Sequence, residues 1–296
     1  MRGEQKVINE LSAQMRLDIN RYKPIHTEGL VLYPIRVANY SEYMIARQAI
    51  GFMNQSLPIE YISMPLLSAF YRIDFEHALK GEPPTGLFAS AMLGIALALR
   101  LNQDGESIDD TLQRIKVVAD SRDQSRLLCI ICTVNEVEEK TITPIQYASL
   151  RPIIAAQNGI IIRDEMDNPE LVEAEADLAE ANAPKLDYKI ENLIHAAAAL
   201  TGKDEEEIYE WPVLKLANRL STFKRMMDYV VCGMGEAQGT KWKSGNPCPH
   251  PWFGKKKEES SALISMDGFM GGAGLQAMKE AGAFKERGSE NTPQQK

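Results

Sequence analysis

Cysteine is scarce in this chain, four in 296 residues, which excludes a disulfide-stapled scaffold and points to a reducing compartment. Long apolar runs are missing as well. The longest uncharged one, Leu87 to Leu99, stops at Arg100. That is well short of the roughly 20 residues a membrane-spanning helix needs, so it reads as a buried core helix. The first 25 residues mix Arg2, Glu4, Lys6, Glu10, Arg16 and Asp18 with apolar residues. They lack the apolar core of a signal peptide, and a cytoplasmic chain is expected. Positive charge is in deficit. The net charge of −8 disfavours nucleic acid and anionic membrane, which share its sign, so neither is expected as a partner. The one compact basic cluster, Lys255-Lys256-Lys257, reads as a solvated loop.

Catalytic signatures are absent too. Gly235-Glu236-Ala237-Gln238-Gly239-Thr240-Lys241 has the wrong spacing for a phosphate-binding loop, and it follows a helical pattern rather than a strand. His26, His77, His195 and His250 are scattered, and none sits in a nucleophile or metal motif. Cys129-Ile130-Ile131-Cys132 has half of a zinc-site spacing, and Cys248 and His250 would complete a ligand set for a metal-dependent enzyme. However, the pair lies in a β-branched run where positions three apart point to opposite faces. Buried cysteines acting as small apolar residues are the better account. No catalytic residue, metal or cofactor is expected, and the chain reads as a protein-binding rather than a chemical device.

What is present is ordinary globular material, 44% hydrophobic and 25% charged. Val7, Ile8, Leu11, Met15 and Ile19 have helical spacing ahead of Pro24. Leu30 to Val37 is a strand or strand pair, with Pro34 at an edge or a bend. Helices are expected over Tyr40 to about Asn54 and over Met64 to about Lys80, then in the apolar Leu87 run and from Thr143 to Gln157. A buried strand is expected over Leu127 to Val134, with Lys140 to Thr143 pairing back across a charged turn. From Asp164 to Glu180 there are eight acidic residues and no basic one. This is either a solvated helix leading to a linker at Asn182-Ala183-Pro184 or a docking face for a basic partner. Beyond it, Ile190, Leu193, Ile194, Ala197 and Leu200 form one helical face. A short helix capped near Asp204 follows, and then a longer one opened by Pro212 and stopped at Gly233 or Gly235.

The expected class is therefore α+β and mainly α-helical. The expected segments are an N-terminal α+β part (1–183), a helical hairpin or bundle (184–235) and a flexible tail with a short apolar segment (236–296). That tail carries Trp242, Trp252, Phe253, Phe269, Met270, Leu275 and Met278. With Trp211 they are the candidate partner-binding anchors, since aromatic and methionine side chains adapt to varied surfaces. The alternative is that the tail folds back and buries them.

Several stretches resemble the tail-assembly chaperone-like proteins of tailed phages and prophages of Gram-positive hosts. They are Asp187 to Ile194, Glu207-Ile208-Tyr209-Glu210-Trp211-Pro212-Val213 and Ala262 to Asp267, with a similar cadence in Leu32-Tyr33-Pro34-Ile35-Arg36-Val37, Gln157-Asn158-Gly159 and Asn168 to Leu171. The resemblance implies a non-catalytic factor of tail morphogenesis in the host cytoplasm. Its partners would be the tape-measure protein or baseplate parts, or a neighbouring copy of itself as a homo-oligomer. A structural component retained in the tail or baseplate is the alternative.

Overall fold

A computed structural model of the chain describes residues 11–102, 105–134, 137–162, 174, 189–242 and 246–251. The fold is α+β and mainly helical, with antiparallel sheets of two and three strands in its N-terminal half. The chain divides into two compact units, Met1–Lys224 and Arg225–Lys296. The expected boundary at Ala183 lies outside the described residues.

The first element among the described residues is α1 (Ala13–Asn20), whose N-cap Ser12 accepts from the Met15 amide. A hairpin follows, in which β1 (Ile25–Thr27) pairs with β2 (Leu30–Leu32). Its turn residues Glu28 and Gly29 both have positive φ, 49° and 74°, the conformation that matches a two-residue turn to strand twist. Next come α2 (Tyr40–Ile50), α3 (Leu66–Lys80) and α4 (Leu87–Ala98). Helix α3 stops at Gly81, where φ is +72°. Asp74 of α3 accepts from the Thr85 and Phe88 amides at the start of α4, so a carboxylate meets the positive end of that helix.

The expected core helix is α4, buried from Phe88 to Ala98 on nearly every side. Its Gly94 lets α2 approach closely, for a β-carbon there would lie 2.8 Å from Ile50 Cδ1 and 3.6 Å from Ala46 Cβ. After the short α5 (Ile108–Gln113), β3 (Ile115–Ala119), β4 (Leu127–Val134) and β5 (Glu138–Ile142) form the larger sheet, with β4 central. Strand β3 was not legible beforehand, because its Lys116 interrupts a short apolar run. The core faces of the sheet, Ile115, Ile130, Cys132 and Ile142, join the helices in one apolar cluster.

Helix α6 (Pro144–Gln157) begins with a capping box formed by Thr143 and Gln146. Its last two turns carry polar groups that fasten the body. Buried Arg151 donates through Nε to the Ile50 carbonyl at 2.7 Å and through a terminal nitrogen to the Phe52 carbonyl, which places a cation at the C-terminal end of α2. Gln157 Nε2 donates to the Leu32 and Lys23 carbonyls. Buried Asn158 accepts the Ile35 amide at 2.8 Å, and its own backbone carbonyl accepts the Tyr43 hydroxyl.

The helical arm of this unit consists of α7 (Ile190–Thr201), α8 (Glu205–Tyr209) and the first half of α9 (Val213–Ala237). Gly202 ends α7 with φ +67°, and Asp204 caps α8. Helix α9 runs past both glycines expected to stop it. Gly239, with φ +89°, makes the stop instead: the Thr240 amide donates back to the Gly235 carbonyl at 2.9 Å, a left-handed helix end of the Schellman kind.

Candidate partner-binding surface

The segment after β2 is gripped from two directions. The Ile35 amide is taken by Asn158, while its carbonyl accepts the Val213 amide at 2.9 Å. The Val37 amide donates to the Trp211 carbonyl at 2.8 Å, and Arg36 pairs with Pro212 as an isolated antiparallel bridge. The Arg36 guanidinium also donates to both oxygens of Glu210. Pro212 suits the joint because it has no amide to leave unsatisfied. Leu32–Val37, Gln157-Asn158-Gly159 and Glu207–Val213, three of the stretches behind the sequence resemblance, therefore meet in one place.

Around this joint Val37, Ile194, Ala197, Ile208, Trp211 and Leu216 form a second, smaller apolar cluster. Trp211, singled out as a partner anchor, is 6% exposed and belongs to this cluster. Lys215 lies over its ring, 4.1 Å from the centroid. Burial against it, helped by nearby Arg219, lowers the Lys215 pKa. The indole N–H of Trp211 has no hydrogen-bond partner among the described residues. In this conformation Trp211 shapes the arm from within and is not displayed.

The second unit displays apolar side chains. Within it, α9 continues from Arg225 to Ala237. Met227 is 49%, Val230 49%, Val231 63% and Met234 59% exposed, while Cys232 is 7% exposed. At about 100° per residue the four exposed side chains fall within one arc, and Cys232 lies on the other side. No ionisable residue between Arg225 and Ala237 falls in that arc: Arg225, Asp228 and Glu236 all lie outside it. Such an uncharged arc on a long helix loses nothing by being covered, and gains about 25 cal/mol for each Å² removed from water.

In the sequence the apolar repeat of this helix is visible at Val213, Leu216, Leu220, Phe223, Met227 and Val230. Its extension through Val231 and Met234, and the fact that it stays exposed, are not. A periodic stripe signals amphipathicity but not whether the body covers it. Gly233 and Gly235, stops by their residue type, sit inside the helix, with the Thr240 hydroxyl 3.6 Å and the Trp242 ring 3.7 Å from a β-carbon placed on Gly235. Trp242, a sequence-based anchor, lies just beyond this turn and is 38% exposed. Trp252, Phe253, Phe269, Met270, Leu275 and Met278 lie outside the described residues.

The strand geometry bears on the metal reading. Cys132 pairs with Ile115 on the core side of β4, whereas Cys129 pairs with Val118 on the other side. The two sulfurs therefore do not converge on one site. Burial pushes the Cys132 thiol up to about 12.

No family model, no curated protein and no solved structure matches this chain.

Proposed function

We propose that this chain is a non-catalytic tail-morphogenesis factor of a tailed phage or prophage. In this reading it is a chaperone that holds the tape-measure protein or baseplate parts in the host cytoplasm during assembly. The observation that carries the proposal is the uncharged, exposed Met227–Val230–Val231–Met234 face on α9. A tape measure is long and helical and exposes apolar stripes before it is enclosed. A helix with methionines at both ends of an apolar seam accepts such stripes in several registers, because the unbranched thioether side chain repacks easily. The sequence resemblance supports the same reading. The stretches that carry it are largely those that build the arm and its joint with the body.

The test is affinity capture of the tagged full chain from cells expressing the surrounding gene cluster, with mass spectrometry of the captured proteins. Recovery of a long helical tail protein, with the chain missing from finished particles, is the expected outcome. Presence in purified particles at fixed stoichiometry would identify a retained tail or baseplate component instead. One equivalent of bound zinc in the purified chain would overturn the non-catalytic reading in favour of a metal-dependent one.

A further inference from the structure

We infer that the open face of α9 pairs with the same face of a second copy of this chain, antiparallel, about a twofold axis beside the Val230–Val231 bond. The inference rests on reading that face as a binding surface, but not on what the client is. It starts from the order of side chains on the face. Met227, Val230, Val231 and Met234 read the same in both directions: a methionine, two intervening residues, two valines, two intervening residues, a methionine. A closed dimer needs a patch that complements itself, so that whatever residue i touches on the partner touches residue i in return. With the axis between Val230 and Val231, Met227 of one copy meets Met234 of the other at both ends, and the valines fill the centre. An unrelated helix would satisfy no such symmetry except by chance of its own sequence.

Three further features favour the pairing. Met227, Val230 and Met234 have the three-then-four spacing of a helix-pair seam, which Val231 widens, and side chains of one helix seat between those of the next in such a seam. The arc contains no charged residue that pairing would strand away from water. Gly233 borders the seam, and a β-carbon there would meet nothing within 4 Å, so the helix is thin on that side and a neighbouring backbone can come close. On the opposite side of the helix Cys232 is buried and Asp228 and Glu236 are charged, which makes the Met–Val arc its uncharged, exposed face.

The interface spans only about two helical turns, below the roughly 1,200 Å² of a standard stable complex, so the dimer is a weak and reversible one. That suits a factor whose apolar face must be shielded when idle and released to a partner.

The experiment is sedimentation equilibrium of the full chain over a concentration range reaching hundreds of micromolar, the regime of so small an interface. The expected result is a weight-average mass rising from one chain towards two. Val231→Arg is expected to hold it at one chain with an unchanged melting temperature, because Val231 is 63% exposed. Orientation is read by oxidation of M227C and M234C variants against the wild-type chain as background. A mixture of the two is expected to cross-link, and neither variant alone. A monomer at every concentration overturns the inference. So does a dimer that survives Val231→Arg, or one in which M227C cross-links to itself. Client capture by the wild-type chain is scored separately: a client without a dimer removes this inference alone, and a dimer without a client removes the chaperone reading alone.

Discussion

Helices α4 and α9 solve opposite problems. Nine of the twelve residues of α4 are buried, and it has no exposed side to offer. Of the 25 residues of α9, the buried ones are Val213, Leu216 and Cys232. The same contrast separates the body around α4 from the helical arm. The body is a single large apolar cluster closed by buried polar fasteners, whereas the arm is a six-residue cluster gathered about one joint. Stability in such a molecule is expected to be uneven, with the arm opening at lower cost than the body.

The sharpest test removes a large side chain from the body. Phe70 is fully buried and packs edge-on against Phe52 at 5.1 Å, so Phe70→Ala is expected to cost about 3–5 kcal/mol in urea unfolding. Its effect should reach every probe in the first unit. The matching change in the arm is Trp211→Ala. It is expected to leave the body's unfolding midpoint within about 1 kcal/mol of wild type while releasing the Val37 and Val213 amides to hydrogen exchange. A Trp211→Ala chain that loses body and arm together would break the comparison.

Asn158→Ala probes the fastening between them. It removes the acceptor of the buried Ile35 amide, and a cost of about 1–3 kcal/mol is expected from that orphaned donor. Both the body and the joint should respond, since Ile35 is shared.

Alkaline pH provides a probe of the body. Burial pushes both the Cys132 thiol and the Tyr147 hydroxyl up to about 12. In the unfolded chain these groups ionise near 9 and 10, so between those values and about 12 the folded state holds protons that the unfolded state has lost. Stability should therefore fall as pH rises through that window, by up to about 1.4 kcal/mol per pH unit for each group. Below pH 9 neither group contributes a slope. Chemical denaturation at several alkaline pH values measures this, and Cys132→Val is expected to make the fall shallower. An unchanged slope in that variant would remove Cys132 as a cause.

The smallest effect belongs to the joint's surface. Arg36 and Glu210 lie 3.0 Å apart, with the carboxylate 61% exposed. A double-mutant cycle with Arg36→Ala and Glu210→Ala is expected to give a coupling of about 0.2–1 kcal/mol that weakens in salt. A value several times larger would mean that the ion pair, rather than apolar packing around Trp211, holds the arm.

Much of this architecture was legible from local pattern. The run from Leu87 has no charged interruption, so a helix there had to be buried. Thr143 with Gln146, and Asp204 ahead of three glutamates, announce helix starts because unsatisfied amides need acceptors nearby in sequence. The antiparallel return of β5 onto β4 followed from a short charged turn between apolar runs. Long-range polar contacts were not legible in this way. Nothing local says that Asn158 reaches Ile35, or that Arg151 closes the end of α2, since partners more than a hundred residues apart in sequence leave no periodic trace.

The candidate surface divides along the same line. The sequence by itself determined that α9 is amphipathic as far as Val230 and that Cys129 and Cys132 point apart, because both depend on the geometry of one element. Only the tertiary structure decided that Trp211 is inside and Val231 outside. Both are apolar residues in helical surroundings, and burial is fixed by what other parts of the chain bring alongside them.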